Sequence, residues 1–217
     1  MLSNVSPKTA SPEVRTALLE AAARLLVEEG PASLTTRRLA TEVGTSTMAV
    51  YTHFEGMDKL RRALAEEGFR RLAERLDQVE GSDDPVADVM VMGVAYFTNA
   101  MANPNLYHFM FTEHSNEDEI GLGLETFQRL IDGVARAVEA GRFKGEAEEL
   151  ATQLWVTAHG IVTLEIAGVL DGEGLQLFAE MGSNLMRSFG DDEDSILRSI
   201  AGAAERLPPA FFGPEGK

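Results

Sequence analysis

The amino-acid sequence predicts an all-helical protein of nine or ten helices. Three observations carry this. Apolar residues recur at three- and four-residue spacing along nearly the whole chain. No run alternates apolar and polar residues at the period of a strand. The breaks between periodic segments fall on Gly, Pro and Ser/Asp clusters. The length of 217 residues allows one large or two small domains with a real core, and a 44% hydrophobic content is ordinary for a globular chain.

Ser11-Pro12 opens a first helix, Ser as N-cap and Pro at the first helical position, with Val14, Leu18, Ala21, Leu25 and Leu26 as its apolar stripe. Gly30-Pro31 stops it. Short helices follow near Thr36–Val43, broken by Gly44, and from Ser46 to about Thr52. A long fourth helix, roughly Met57–Val79, turns Leu60, Leu64, Leu72 and Leu76 inward. Gly81-Ser82-Asp83-Asp84-Pro85 is the expected domain-level break. Beyond it the pattern predicts a buried helix at Val86–Met101, a short one at Leu106–Phe111 after Asn103-Pro104, and an acidic loop at His114–Glu119. Helices near Leu122–Ala140, Glu146–Leu170, Leu175–Phe189 and Ser195–Arg206 complete the chain.

Composition excludes several classes. There is no cysteine, hence no disulfide, thiolate metal site or cysteine nucleophile. No apolar run of membrane-spanning length and no secretory leader pattern is expected, which points to a cytoplasmic protein. The net charge of −16 argues, taken whole, against a nucleic-acid partner. Its distribution reverses that reading. Residues 1–75 carry 11 Lys+Arg and 10 Asp+Glu, whereas residues 76–217 carry 8 and 25. The acidity belongs to the second part; the first is neutral and rich in arginine.

Within the first part, residues 34–54 place two short helices about a tight turn at Gly44, the layout of a helix-turn-helix. Leu39, Ala40, Val43, Val50 and Phe54 lock the two helices together. Ser46, Thr47, Met48, Ala49 and Thr52 are then left free near the start of the second helix. They are short, polar or weakly apolar, and none is acidic, which suits a helix entering a major groove.

With the helix before it, this segment resembles the DNA-binding domain of the TetR family of bacterial transcriptional regulators. The residues that carry the resemblance are Leu34-Thr35-Thr36-Arg37, Leu39-Ala40, Val43-Gly44, Ser46 and above all Val50-Tyr51-Thr52-His53-Phe54. It implies a DNA-binding domain over 11–72 with its motif at about 35–54 and a helical ligand-binding and dimerisation domain over 82–206; the flanks 1–10 and 207–217 are expected to be flexible tails. By the resemblance Thr36 and Arg37 contact the DNA backbone or a groove edge, Thr47, Met48 and Ala49 read bases, and Tyr51 and His53 contact phosphate. One departure stands out. Related sequences usually carry a lysine where this chain has Met57, and Lys59 follows two residues later as its candidate substitute. From the residues alone, Tyr51 is also a candidate core aromatic, His53 a residue packed on the fourth helix, and Arg38 a solvated surface residue.

In the second part, residues 154–168 resemble the Trp-His-Gly segment of one branch of the same family, with Trp155 and His159 four apart on one helix face. Candidate lining residues for an effector pocket are Tyr96, Phe97, Met101, His108, Phe109, Phe127, Trp155 and His159, a mostly apolar set suited to a small hydrophobic molecule. Each is equally a core candidate. Leu175, Phe178, Met181, Leu185, Met186 and Phe189 form a stripe for packing against a second copy together with part of the 146–170 helix, with Gly182 permitting close approach; burial within one subunit is the alternative.

The function expected is a homodimeric repressor on an inverted-repeat operator in double-stranded DNA, released by a small effector; an effector-independent DNA-binding regulator is the alternative. No cofactor, metal or catalytic residue is expected. For a metal protein, His108, Glu113 and His114, or His159 and Glu165, lack the spacing that puts two ligands on one helix face.

Overall fold

The computed structural model describes residues 11–112 and 117–207, with side chains over 11–111 and 123–207. The expected tails at 1–10 and 207–217 lie outside it apart from Leu207, as do Glu113 and His114. The described residues form ten α-helices and no strand. They are α1 (Pro12–Glu29), α2 (Thr36–Val43), α3 (Thr47–Phe54), α4 (Met57–Asp77), α5 (Pro85–Ala102), α6 (Pro104–Thr112), α7 (Glu117–Glu139), α8 (Ala147–Ile166), α9 (Gly174–Ser188) and α10 (Glu193–Arg206). Most ends fall where breakers were read: Gly30 and Gly44, at φ +78° and +68°, terminate α1 and α2. Two boundaries differ. α7 begins at Glu117, inside the segment read as an acidic loop. α8 ends at Ile166, four residues early, before Gly168 at φ +72°.

The helices form two compact units. The first holds α1 to α3, most of α4, α6 and the start of α7; the second holds the end of α4 with α5, the rest of α7 and α8 to α10. The cut therefore lies in α4 after Arg71 rather than at the 81–85 turn, and α6, expected in the C-terminal domain, belongs to the first unit. Its apolar residues explain this. Leu106, Tyr107, Phe109 and Met110 are at most 4% exposed. Asn105 donates from Nδ2 to the Val27 carbonyl at 3.1 Å, anchoring α6 on the end of α1. Phe111 meets Phe69 edge-on at 5.5 Å.

The second unit is built around Val86, Val89, Val134, Ala137, Phe143, Leu150, Ala151, Met186, Phe189 and Ile196, drawn from α5, α7 to α10 and the α7–α8 turn. Beside this core runs a polar network. Asp88, with 4% of its side chain exposed, accepts from the Ser82 backbone N–H and hydroxyl, from Arg136 at 2.6 Å and from Arg206 at 2.6 Å. Asp191 accepts a two-pronged pair from Arg142 at 2.6 and 2.7 Å. Buried carboxylates persist only when matched in this way. The network joins the start of α5 to α7 and α10.

Candidate nucleic-acid interface

α2 and α3 are short, so their caps and their buried faces decide their geometry. The Thr35 hydroxyl accepts from the Arg38 N–H at 3.2 Å and caps α2. Gly44 turns left-handed, and the Thr45 N–H donates to the Ala40 carbonyl at 2.9 Å. This closes the turn and aims the next helix. Leu39, Ala40, Val50 and Phe54 are buried and hold α3 on α2 and α1; Val43 is half-buried.

The outward face of α3 presents Thr47, Met48, Tyr51 and Thr52, with Ser46 at its N-cap. Met48 is 64% and Tyr51 52% exposed, so neither is core. Ser46 makes no capping bond with its hydroxyl, leaving that group for another partner. Thr52 donates its hydroxyl to the Met48 carbonyl at 2.9 Å and keeps lone pairs to offer. Arg37 is exposed on α2, next to half-buried Thr36.

One expected contact is corrected and a second is narrowed to one ring nitrogen. Ala49 has no exposed surface and cannot touch a base. His53 is half-buried, and its Nε2 is sealed from solvent with no hydrogen-bond partner among the described residues, so that nitrogen cannot reach a phosphate. One cause covers both: Ala49, Val50 and His53 share the inner strip of α3, since residues four apart lie one above the other. Lys59, the candidate substitute for the lysine absent at Met57, is paired with Glu55. Arg38 bonds Glu29 at 2.8 Å and Glu42 at 2.7 Å, and Arg24 also reaches Glu42, so these charges tie α1 to α2. One feature escaped sequence reasoning. Arg15 of α1 lies over the Phe54 ring, 4.9 Å from its centre. Its place one turn before Leu18, on the flank of the α1 stripe, was the available signal.

In the second unit four of the candidate pocket residues converge. Phe127 and Trp155 pack as tilted rings with centres 5.5 Å apart, Trp155 and His159 likewise at 5.9 Å, and the Tyr96 hydroxyl lies 3.3 Å from His159 Nδ1. Burial pushes the His159 imidazole below its usual value, so it is neutral at pH 7. The others do not join them. Phe97 is buried against Phe178 at 5.5 Å. Phe109 is 1% exposed in the first unit under Arg61, and His108 is exposed there on α6. Met101 is half-buried at the end of α5. Glu165 accepts from the Gly174 N–H at 3.0 Å, a bond that starts α9. Among the described residues no group of three or more His, Asp or Glu is placed to hold a metal ion.

The model of the bacterial regulatory proteins of the tetR family matches residues 18–64, and that of the tetracyclin repressor-like C-terminal domain matches 89–185. The chain belongs to the TetR family. An uncharacterized HTH-type transcriptional regulator of Mycobacterium tuberculosis is 29% identical over 157 residues, 72% of each chain. A solved protein of unknown function from Rhodococcus sp. RHA1 superposes with a TM-score of 0.75 at 28% identity, covering 86% of this chain and 100% of that one. RolR, solved in complex with resorcinol, superposes with a TM-score of 0.66 at 16% identity over 90% of this chain and 95% of that one, a likeness of fold. As a TetR-family member the chain is a DNA-binding transcriptional regulator. No helix among the described residues is long and apolar enough to cross a membrane.

The stripe expected to face a second copy divides. Met186 and Phe189 are each 3% exposed inside the second unit's own core, where Phe189 meets Phe143 edge-on at 5.4 Å. Phe178 is turned onto Phe97, and Leu185 packs on the same core. Leu175 and Met181 remain exposed, and Gly182 has open space around it. On α8, within the 146–170 segment expected to share this contact, Val156 is 58% and Leu164 44% exposed.

Proposed function

We propose that the chain is a homodimeric repressor that binds an inverted-repeat operator and leaves it when a small, largely hydrophobic effector binds the second unit. The observation that carries the DNA half is the exposed face Ser46, Thr47, Met48, Tyr51 and Thr52 of α3, free of acidic side chains, together with Arg37 exposed on α2. Thr47 and Met48 read base edges, Met48 favouring thymine methyls, while Ser46, Tyr51, Thr36 and Arg37 hold phosphate or sugar. Val156 and Leu164 on α8 and Leu175 and Met181 on α9, all exposed, support pairing with a second copy. The effector half rests on Tyr96, Phe127, Trp155 and His159, apolar rings carrying a neutral hydrogen-bonding pair. The effector acts only through unequal affinity for the DNA-competent and released states.

Selection of bound sequences from a random duplex pool tests the DNA half. The expected product is an inverted repeat with half-site centres about one helical turn apart. A pool that yields no enriched sequence defeats the proposal. Titration of the selected complex with neutral aromatic compounds, followed by the emission of the single tryptophan and by release of labelled DNA, tests the other half.

A further inference from the structure

Most cations of the first unit are held by carboxylates of the same unit. Arg24 and Arg38 bond Glu42, Lys59 bonds Glu55, Arg62 bonds Glu66, and Arg70 and Arg71 share Glu67. Arg15 and Arg37 have no carboxylate partner among the described residues. Arg37 already stands on the exposed face of α2. Arg15 is the unexplained one. It is an exposed residue of α1 whose guanidinium lies 4.9 Å from the centre of the Phe54 ring. Phe54 is the last residue of α3 and is 4% exposed, so the ring is a fixed platform. Stacking a guanidinium on such a ring leaves its in-plane N–H donors directed outward and limits the rotamers of a side chain that is otherwise free.

We propose that Arg15 is a DNA-phosphate-binding residue, a cation held ready by Phe54 beside the C-terminal end of the reading helix. The proposal rests on α3 being the groove helix. Such a helix touches bases with its N-terminal residues, so its other end runs out toward the sugar-phosphate backbone. A planar guanidinium bonds phosphate oxygens in two-pronged fashion, and its charge there is not cancelled by a neighbouring carboxylate. Arg15 thereby fills the role for which Lys59, paired with Glu55, was the sequence candidate.

The test uses the full chain and its selected operator duplex, with binding measured by fluorescence anisotropy across a salt series. Arg15→Met keeps an apolar stem on Phe54 and removes the charge; Arg15→Lys keeps the charge. Each phosphate contact contributes about 0.9 to the slope of log K against log salt. Arg15→Met is expected to make the slope shallower by about 0.9 per bound chain, and to weaken operator and unrelated duplex by the same factor, because a phosphate contact carries no sequence information. Arg15→Lys is expected to retain the wild-type slope. An Arg15→Met slope equal to wild type overturns the proposal, whatever happens to affinity. So does equal loss in Arg15→Met and Arg15→Lys, which marks a packing role. Should Arg15→Met fail to fold, Arg15→Gln takes its place, and failure of both assigns Arg15 to architecture and also overturns the proposal. Wild-type protein that binds no duplex defeats the DNA reading itself, an outcome distinct from all of these.

Discussion

Replacing Asp88 by asparagine keeps the shape of the polar network in the second unit and removes its central charge. One Asp88 oxygen accepts from Arg206 and the other from Arg136, each at 2.6 Å. An asparagine amide offers one oxygen and one NH2, so whichever way it turns, one arginine faces a donor. A hydrogen bond to a charged group contributes about 1.5–3 kcal/mol, and the surviving one keeps its charged donor but weakens with the loss of the charged acceptor. Both arginines are partly open to water, with 44% and 26% of their side chains exposed, and water recovers part of the loss. The net cost is about 2–3 kcal/mol, which for a chain of this size lowers Tm by roughly 4–12 °C. Thermal melting followed by circular dichroism at pH 7 measures it. Asp77→Asn is the companion variant: its pair with Arg129 is surface-exposed and contributes under about 1 kcal/mol. Equal melting shifts in the two variants refute the argument that burial sets the value of the Asp88 pair. The same reasoning fixes the pH response. Burial alone would raise the Asp88 carboxyl, but hydrogen bonds from Ser82, Arg206 and Arg136 outweigh it and hold it below the usual carboxylate range. A carboxyl depressed in the fold stabilises above its unfolded value of about 3.9 and loses that contribution as pH falls through the folded value. Wild type is therefore expected to lose stability below about pH 4, and Asp88→Asn to lose less over that range.

Three further outcomes follow from the geometry. Met48→Ala is expected to change the preferred base at one half-site position while leaving Tm within about 2 °C, whereas Ala49→Gln, forced into a fully buried site, lowers Tm without changing the selected sequence; sequence selection and melting on both variants decide it, and exchanged roles would put Ala49 back on the DNA face. Gly68→Ala places a methyl 2.6 Å from Met110 Cγ, and Met110 is 1% exposed, so a loss of about 1–3 kcal/mol is expected in denaturant titration; an unchanged midpoint means that Met110 relocates freely. Leu164→Glu on the exposed face of α8 is expected to give a monomer in sedimentation with helix content intact, and a variant that sediments like wild type moves the dimer contact off that helix.

The helix count and the helix-turn-helix were legible because breakers and apolar periodicity agree there: Gly30, Gly44 and the Leu39, Val50 and Phe54 positions each do in the structure what their spacing implies. Side-chain direction within α3 was less legible. Alanine carries almost no hydropathy contrast, and only helical phase separates buried Ala49 from exposed Met48. α9 misled in another way, since it is apolar on two sides; Met186 and Phe189 serve its own unit while Leu175 and Met181 point outward, and periodicity alone does not rank the faces. The pocket candidates failed where a short helix changed units: nothing near Phe109 announces that α6 packs on α1. The Arg15 stack and the Asp88 network join residues far apart in sequence, and no local pattern encodes such pairings.

The return of α6 to the first unit bears on how the protein is made. A ribosome that has released α1 to α4 has not yet released Leu106, Tyr107, Phe109 and Met110, which complete the same apolar core. Residues 72 through 102 must be synthesised first, a 31-residue excursion that takes roughly 2–6 s at 5–20 residues per second. For that interval the nascent first unit carries an open apolar face, a surface for a chaperone or for misassembly. It also means that cutting the gene after α4 does not yield a free-standing reading head: such a fragment lacks part of its own core, and its minimal replacement must carry α6, rejoined through a linker in place of the excursion.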